Sequence, residues 1–382
     1  MRFEELYERQ QAGRLSQEEV AEILNVDVRT VRRWMRRYED DGVDGLIDKR
    51  IGQVSARRAP LDQVLKVQEL YRSRYAGFTA KHFHEKLVEK HRIARSYTWT
   101  KRLLQAAGLV AKAKRRGAHR KRRERRPLPG MMLHQDGSRH EWVPGCRWDL
   151  IVTMDDADNT IYSAFFVEEE GTMSSFLGIQ AVIEAHGLFA SLYVDRGSHY
   201  FLTPKAGAKV DKTQPTQFHR ALNQLGIELI AAYSPEARGR SERLFRTLQD
   251  RLPKELALAG IRNMEAANQF LKRTFLFLSA HNRRFKVAPS EPGSAFVPFI
   301  GTHLADILSI QETRTVGNDN TVRYDGRTLQ IPQDTHRCHY VKASVRVHEY
   351  PDGTLAIFHG PRCLARYDSA GKQLRAKRKA AA

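Results

Sequence analysis

The sequence predicts a multidomain α and α/β protein, with helix-turn-helix units at the N-terminus, a mixed-sheet core and a small C-terminal β-barrel. Three observations carry that expectation. Capping signals and helix-period apolar stripes fill the first 110 or so residues. From Met131 the pattern changes to β-branched and aromatic runs joined by turns, then to alternating helix and strand. Beyond Pro289, Pro292 and Pro298, the turns Asp325-Gly326 and Pro351-Asp352-Gly353 separate short alternating runs such as Val345-Arg346-Val347-His348.

Composition narrows the function. The chain has 382 residues, with 64 Lys and Arg against 44 Asp and Glu, a formal charge of +20. That field favours a polyanion, and double-stranded DNA is the expected partner. No apolar run approaches a membrane span, and Met1-Arg2-Phe3-Glu4-Glu5 does not start a signal segment, so a cytoplasmic, nucleoid-associated protein without a membrane partner is expected. Cys146, Cys338 and Cys363 are far apart and form no C-x-x-C pair, which argues against a disulfide framework or zinc knuckle. His82, His84 and His91 have no cysteines at finger spacing.

Residues 1–52 read as a helix-turn-helix. Ser16-Gln17-Glu18-Glu19 is a capping box ahead of an apolar face of Val20, Ala21, Ile23 and Leu24. Asn25-Val26-Asp27 is a tight turn, and Asp27 caps a second helix running to about Tyr38. Val31, Trp34, Met35 and Tyr38 line one side of that helix, and Arg29, Arg32, Arg33, Arg36 and Arg37 line the other. One face can dock while the other meets phosphates and base edges. The alternative is a solvated basic face on an ordinary helical hairpin.

Residues 60–111 read as a second helical unit, winged or helix-turn-helix. Phe78, Phe83, Leu87 and Val88 mark one helix; Ser96 caps another carrying Trp99, Leu103, Leu104 and Ala107, which stops at Gly108. Lys101 and Arg102 project from its other side. Residues 112–130 are a basic linker: Lys112 to Arg126 holds ten Lys and Arg and one acid, +9 of the +20. Its Arg115, Arg116, Arg122 and Arg123 are expected to follow the phosphate backbone.

The core spans 131–295. Met132–Asp136, Trp148–Met154, Thr160–Val167, Phe189–Val194 and Ile227–Ala232 read as strands; Met173–His186 and Phe218–Leu225 read as helices. About five strands in a mixed sheet follow. A helix from Ser241 is expected to end or kink at Pro253. Asn263–Asn282 is helical again, a barrel or sandwich of about five strands fills 310–372, and 373–382 is a basic tail.

Three acids stand out in this basic chain. Asp136 and Asp195 each close a strand, and Glu242 lies on the helix at the edge of a stripe made by Leu244, Phe245, Leu248 and Leu252. Strand ends gather ligands, and divalent metals on shared carboxylates suit phosphodiester transfer. Arg238, Arg240, Arg243 and Arg246 flank Glu242 on the expected DNA side. Each acid also has an ordinary explanation as a strand-end turn residue or an i,i+4 partner of arginine. Asp149, Asp155 and Asp156 compete as ligands, although turn chemistry accounts for the last two.

The stretch from Met131 to Ser294 resembles the catalytic core of DDE transposases and retroviral-type integrases. The resemblance rests on Leu133-His134-Gln135-Asp136, Val194-Asp195-Arg196-Gly197, Ile227-Glu228-Leu229, Ser234-Pro235, Gly239-Arg240-Ser241-Glu242-Arg243 and Asn282-Arg283-Arg284 before Pro289. The layout is similar to bacterial insertion-sequence transposases, with ISNCY-type elements the nearest match. It implies a ribonuclease H-like fold and a metal-binding catalytic triad of Asp136, Asp195 and Glu242 holding two Mg2+ or Mn2+ ions. It also implies binding to the element's terminal inverted repeats and target DNA, strand cleavage and transfer, and a homo-oligomer on DNA. The chain departs from the family in having Arg196 and Gly239-Arg240 where asparagine-containing pairs are common, and in a long Asp195–Glu242 interval, assigned to a polar loop at Lys205–Pro215. A DNA-binding regulator with an inactive core and a nuclease that cuts without joining are the competing functions.

Overall fold

The structure is a computed structural model that describes residues 2–48, 51, 58–112, 123–202, 214–233, 239–273, 275–301, 303–333 and 337–374. These form two compact units: Met1–Ala76 with Arg102–Leu109, and Gly77–Lys101 with Val110–Ala382.

In the first unit, α1 (Phe3–Gln11), α2 (Gln17–Leu24) and α3 (Val28–Asp41) enclose a core of Leu6, Val20, Ala21, Val31 and Met35. The capping box forms as expected: Glu19 N–H donates to Ser16 Oγ, and Ser16 N–H to the Glu19 carboxylate. Asn25 takes a left-handed conformation and Asp27 caps α3, so the chain turns sharply between the two helices. The sequence reading did not single out α1; its Phe3 and Tyr7 rings pack on Trp34 and Tyr38. A 3-10 turn (Gly42–Leu46) and α4 (Leu61–Arg74) follow.

α6 (Tyr97–Ala106), capped by Ser96, is shared by the two units, which divide it at Arg102; the second unit begins with α5 (Ala80–His91), capped by Thr79. Its centre is a five-stranded mixed sheet, in the order β3-β2-β1-β4-β5. β1 (Leu133–Val143), β2 (Cys146–Asp155) and β3 (Ile161–Val167) form an antiparallel meander. β4 (Ser191–Val194) runs parallel to β1, and β5 (Glu228–Ala231) parallel to β4. β1 is much longer than the short strand expected at Met132–Asp136. It continues through Gly137 because Trp142 and Val143 are buried at its far end.

Helices cover both faces. α7 (Thr172–His186) and α8 (Gln217–Gln224) bury Phe176, Ile179, Phe218 and Leu222 with Leu133 and Leu192 on one face. α9 (Gly239–Leu258) and α10 (Met264–Arg273) cover the other, packing Leu244, Phe245, Leu248 and Leu252 on Trp148, Leu150, Val152 and Met154. α9 runs through Pro253 instead of ending there; burial of Leu252 and Leu256 on either side outweighs the one backbone bond that proline removes. The expected helix at Asn263–Asn282 is helical on both sides of residue 274, which lies outside the described residues: α10 before it and α11 (Phe275–Phe285) after it.

α5 is fastened to this core. Glu85 receives Arg251 at 2.7 Å and Arg284 at 3.0 Å, and Glu255 receives His82 at 2.6 Å and Lys86. After α12 (Leu304–Ile307), the C-terminal strands are β6 (Ile310–Thr315), β7 (Thr321–Tyr324), β8 (Arg327–Gln330), β9 (Ser344–Glu349), β10 (Leu355–His359), β11 (Arg362–Tyr367) and β12 (Gln373–Leu374). Both expected hairpins form, β7–β8 and β9–β10. The expected barrel does not close among the described residues. The sheet is open, ordered β12-β11-β10-β9-β6, and the β7–β8 hairpin contributes Val322, Tyr324 and Leu329 to the same core as Val347, Ile357 and Tyr367.

Candidate active site

Strand alternation sets the site. Gln135 points toward α7, where its amide donates to Thr153 Oγ1 and the Ser175 carbonyl. His134, Asp136 and Ser138 therefore share the opposite, α9-facing side of β1. The β1–β4 register pairs Leu133 with Leu192 and His134 with Tyr193. Continued for two residues, it sets Asp136 level with Asp195, just beyond the paired ends of two parallel strands. Asp136 is buried and Asp195 half-buried, and the Gly197 N–H donates to Asp195 Oδ1 at 2.8 Å.

Two anchors on α9 tie the helix that carries Glu242 to the sheet. Gln249 Nε2 donates to Ser138 Oγ at 2.9 Å. Arg240 reaches Asp156, which also receives His134 Nε2 at 2.7 Å. Nine residues of helix rise about 13.5 Å and four residues of strand about 13 Å, so α9 and β1 run side by side between the anchors. Glu242 lies inside that interval on the helix, and Asp136 lies inside it on the strand. On α9 Leu244, Phe245, Leu248 and Leu252 are buried and Arg243 and Arg246 exposed, as the stripe predicts; Glu242, expected at the stripe's edge, is exposed with the arginines.

Three carboxylates are hard oxygen donors of the kind Mg2+ prefers, and the Asp136–Asp195 pairing suits such an ion. Among the described residues, however, no three His, Cys, Asp or Glu side chains are grouped closely enough to hold a metal, so the exposed Glu242 side chain is not drawn in to the aspartates here.

Several residues around the site escaped the sequence reading. Glu170, before α7, lies against Gly137, where an added Cβ would come within 2.2 Å of its carboxylate. Tyr200 donates toward Gln135 Oε1 at 3.3 Å and Glu170 at 3.4 Å, and His199 Nε2 is 3.6 Å from Glu170. Burial first, then Glu170, Asp136 and Asp195, push the Tyr200 hydroxyl well above its ordinary range. The only sequence signal was the run Glu168-Glu169-Glu170, which reads equally well as a solvated turn.

The turn after β2 also differs from expectation. Asp155 and Asp158 make ordinary turn bonds, to the Ala157 and Thr160 N–H groups, beside longer-range ones to the Gly130 N–H and to Lys286. Asp156 is fully buried and binds only distant groups: His134, the Arg126 N–H at 2.8 Å, Arg123 and Arg240. Burial depresses the His134 pKa, and His134 is the leading cause that holds the Asp156 carboxyl below the usual range against burial. Asp149 accepts the Glu170 N–H at 2.9 Å.

Among the expected DNA contacts, Arg29, Arg32, Arg33 and Arg36 are exposed on α3, Arg37 is half-buried, and Lys101 and Arg102 are exposed on α6. Arg123 and Arg240 are engaged with Asp156. Arg115, Arg116, Arg122, Arg238, the Lys205–Pro215 insertion up to residue 213, and the tail from residue 375 lie outside the described residues.

A sharp α2–α3 turn with an arginine face, followed by a mixed sheet carrying acids at strand ends, defines a DNA-acting protein of modular build. Residues 8–53 match the helix-turn-helix domain family. Over 349 residues the chain is 32% identical to a putative transposase, y4bF, of Sinorhizobium fredii, a match covering 90% of this chain and 75% of that one. Over 208 residues it is 29% identical to the transposase for insertion sequence IS1202 of Streptococcus pneumoniae, covering 54% of this chain and 43% of the relative. The chain belongs to the DDE-type insertion-sequence transposases. Among solved structures it is similar to a simian T-cell lymphotropic virus intasome in complex with a PP2A regulatory subunit (TM-score 0.36, 15% identity, 76% of this chain and 94% of that one). A second is the HTLV-2 integrase catalytic core domain in complex with magnesium (TM-score 0.30, 16% identity, 39% and 86%). Likenesses of that strength carry no weight on function.

Proposed function

We propose that this transposase binds the ends of its element through α2–α3 and catalyses DNA cleavage and strand transfer at Asp136, Asp195 and Glu242. The observation that carries this reading is the bracketing of Asp136 and Glu242 between the same two anchors, with Asp195 level on the next strand. The three carboxylates would hold two Mg2+ or Mn2+ ions, which when bound supply an activated water or 3′-hydroxyl and relieve charge on the leaving oxygen. The chain's own part is to present the acids and to hold the strand. Asp136, buried at the sheet, keeps one carboxylate fixed. Arg243 and Arg246, exposed beside Glu242, meet the phosphates of the bound strand. The α3 arginines place the element's end, and Lys101, Arg102 and the basic linker add contacts that carry no sequence information. Joining two ends in one event calls for more than one copy, hence a homo-oligomer on DNA.

The test is a cleavage and strand-transfer assay on end DNA with Mg2+ or Mn2+. Glu242→Gln is expected to lower both steps by about 10²–10³-fold or more, since several kcal/mol of charge stabilisation are lost, while end binding persists. Undiminished activity in that variant overturns the assignment. A wild-type protein that binds ends but never cuts would be a regulator with an inactive core; one that cuts without joining would be a nuclease.

A further inference from the structure

We infer that Asp156 is a positioning residue for the helix that carries Glu242, tying the start of α9 and the inner end of the basic linker to the strand that carries Asp136. This rests on the assignment of Asp136, Asp195 and Glu242 above. Asp156 is fully buried, and none of its side-chain partners is local. The nearest in sequence, His134, is 22 residues away, and Arg240 is 84 away. Its neighbours Asp155 and Asp158 form the turn, so Asp156 is not needed for that purpose.

Each partner belongs to a different part of the site. His134 precedes Asp136 by two residues on the same face of β1, and Arg240 precedes Glu242 by two residues on α9. Arg123 and the Arg126 N–H belong to the linker. Arg240 also donates to the Arg123 carbonyl at 2.7 Å, and Arg125 donates to the Asp156 carbonyl at 2.8 Å and to Asn159 Oδ1 at 2.9 Å, so the linker is fastened at several points. The Arg240 side chain is only 16% exposed, which suits an internal tie better than a phosphate contact.

A buried carboxylate that loses a cationic partner loses part of its compensation, so the tie favours one geometry. Gln249–Ser138 fixes α9 along the sheet at one point, and Asp156 supplies the second point. Two points set both the distance and the tilt of the helix, and so the reach of Glu242 toward Asp136. The same carboxylate brings the linker to the site, so that DNA following the basic segment is led toward the acids.

The experiment uses the full chain with Arg240→Gln, Asp156→Asn and the double variant, with two readouts. In metal-free protein, hydrogen exchange over residues 239–246 is expected to speed up in each variant. In single-turnover cleavage, the rate at saturating end DNA is expected to fall about 10–100-fold, with the DNA Kd of Arg240→Gln unchanged. The double variant should be no slower than the slower single, since the two groups act as one unit. Arg240→Gln that weakens DNA binding while leaving the saturated rate intact would make Arg240 a phosphate contact and overturn the inference; so would multiplicative losses or unchanged exchange. If Asp156→Asn does not fold, Arg240→Gln decides by the same two readouts. A wild-type protein with no cleavage, alongside the expected change in exchange, would sink the triad and leave the tie standing.

Discussion

Arginine occupies opposite positions on two helices of this protein. On α3, Arg29, Arg32, Arg33 and Arg36 are exposed across from the buried Val31 and Met35. On α9, Arg240 and Arg251 fall on the same stripe as Leu244 and Leu248, at i, i+4, i+8 and i+11, and both end on buried carboxylates, Asp156 and Glu85. Arg243 and Arg246, off that stripe, are exposed. Wheel position, not residue type, separates an arginine available to DNA from one used to hold the fold. The count of 64 Lys and Arg therefore overstates the cations this protein offers to a polyanion.

The largest test of that contrast is Arg251→Ala. Glu85 is 8% exposed and receives Arg251 through two guanidinium nitrogens, at 2.7 and 3.2 Å. Arg284 stays on Glu85 at 3.0 Å, so removing Arg251 is expected to cost about 1.5–3 kcal/mol, read by denaturant or thermal unfolding. Arg36→Ala, on the exposed face of α3, is expected to stay within about 0.5 kcal/mol. Similar losses in the two variants would break the distinction.

The next effect is on binding. Replacing Arg32, Arg33 and Arg36 together by alanine is expected to weaken end-DNA binding and to reduce the salt dependence of log K by up to about 3, near 0.9 per lost phosphate contact. Thermal stability should change little. An unchanged salt slope would mean that this face does not meet the backbone.

How much of this was legible follows from the same contrast. The helix-turn-helix could be read because local chemistry decides it: Ser16 and Glu19 cap one helix, Asp27 the next, and the apolar stripe names the docked face. The strands and their order of occurrence could be read for similar reasons. The length of β1 could not, because burial of Trp142 is a tertiary fact. Nor could the open C-terminal sheet: hairpin turns mark local pairing but leave undetermined whether the first and last strands meet. Asp156 was the clearest miss. A run of acids after a strand reads as a turn, and nothing local distinguishes the one whose partners are 22 to 84 residues away. The stripe position of Arg240, four residues before Leu244, was the available signal.

The smallest expected effect concerns pH and the field of the two arginines on Glu85. His281 is 4% exposed, and burial first, then Arg251 and Arg284, holds its pKa down to about 4 from an ordinary 6.5. A histidine depressed in the folded state contributes stability that is complete above the unfolded value and is lost as pH falls through the folded one. The window is therefore about pH 6.5 to 4, and at pH 5 the loss from this group is on the order of 2 kcal/mol. His348, also near 4 through burial, adds a parallel loss, whereas Asp155, pushed up to about 6 by burial, runs the other way. Stability that Asp155 contributes is present below its unfolded pKa and fades as pH rises through about 6. Differences between variants isolate the histidine. His281→Leu is expected to flatten the unfolding free energy between pH 6.5 and 5 by about 2 kcal/mol relative to wild type. Arg284→Met should flatten it by less than about 1 kcal/mol, because burial, the leading cause, remains. An Arg284→Met slope identical to wild type would show that Arg284 does not reach His281 electrostatically, leaving burial and Arg251 to set its pKa.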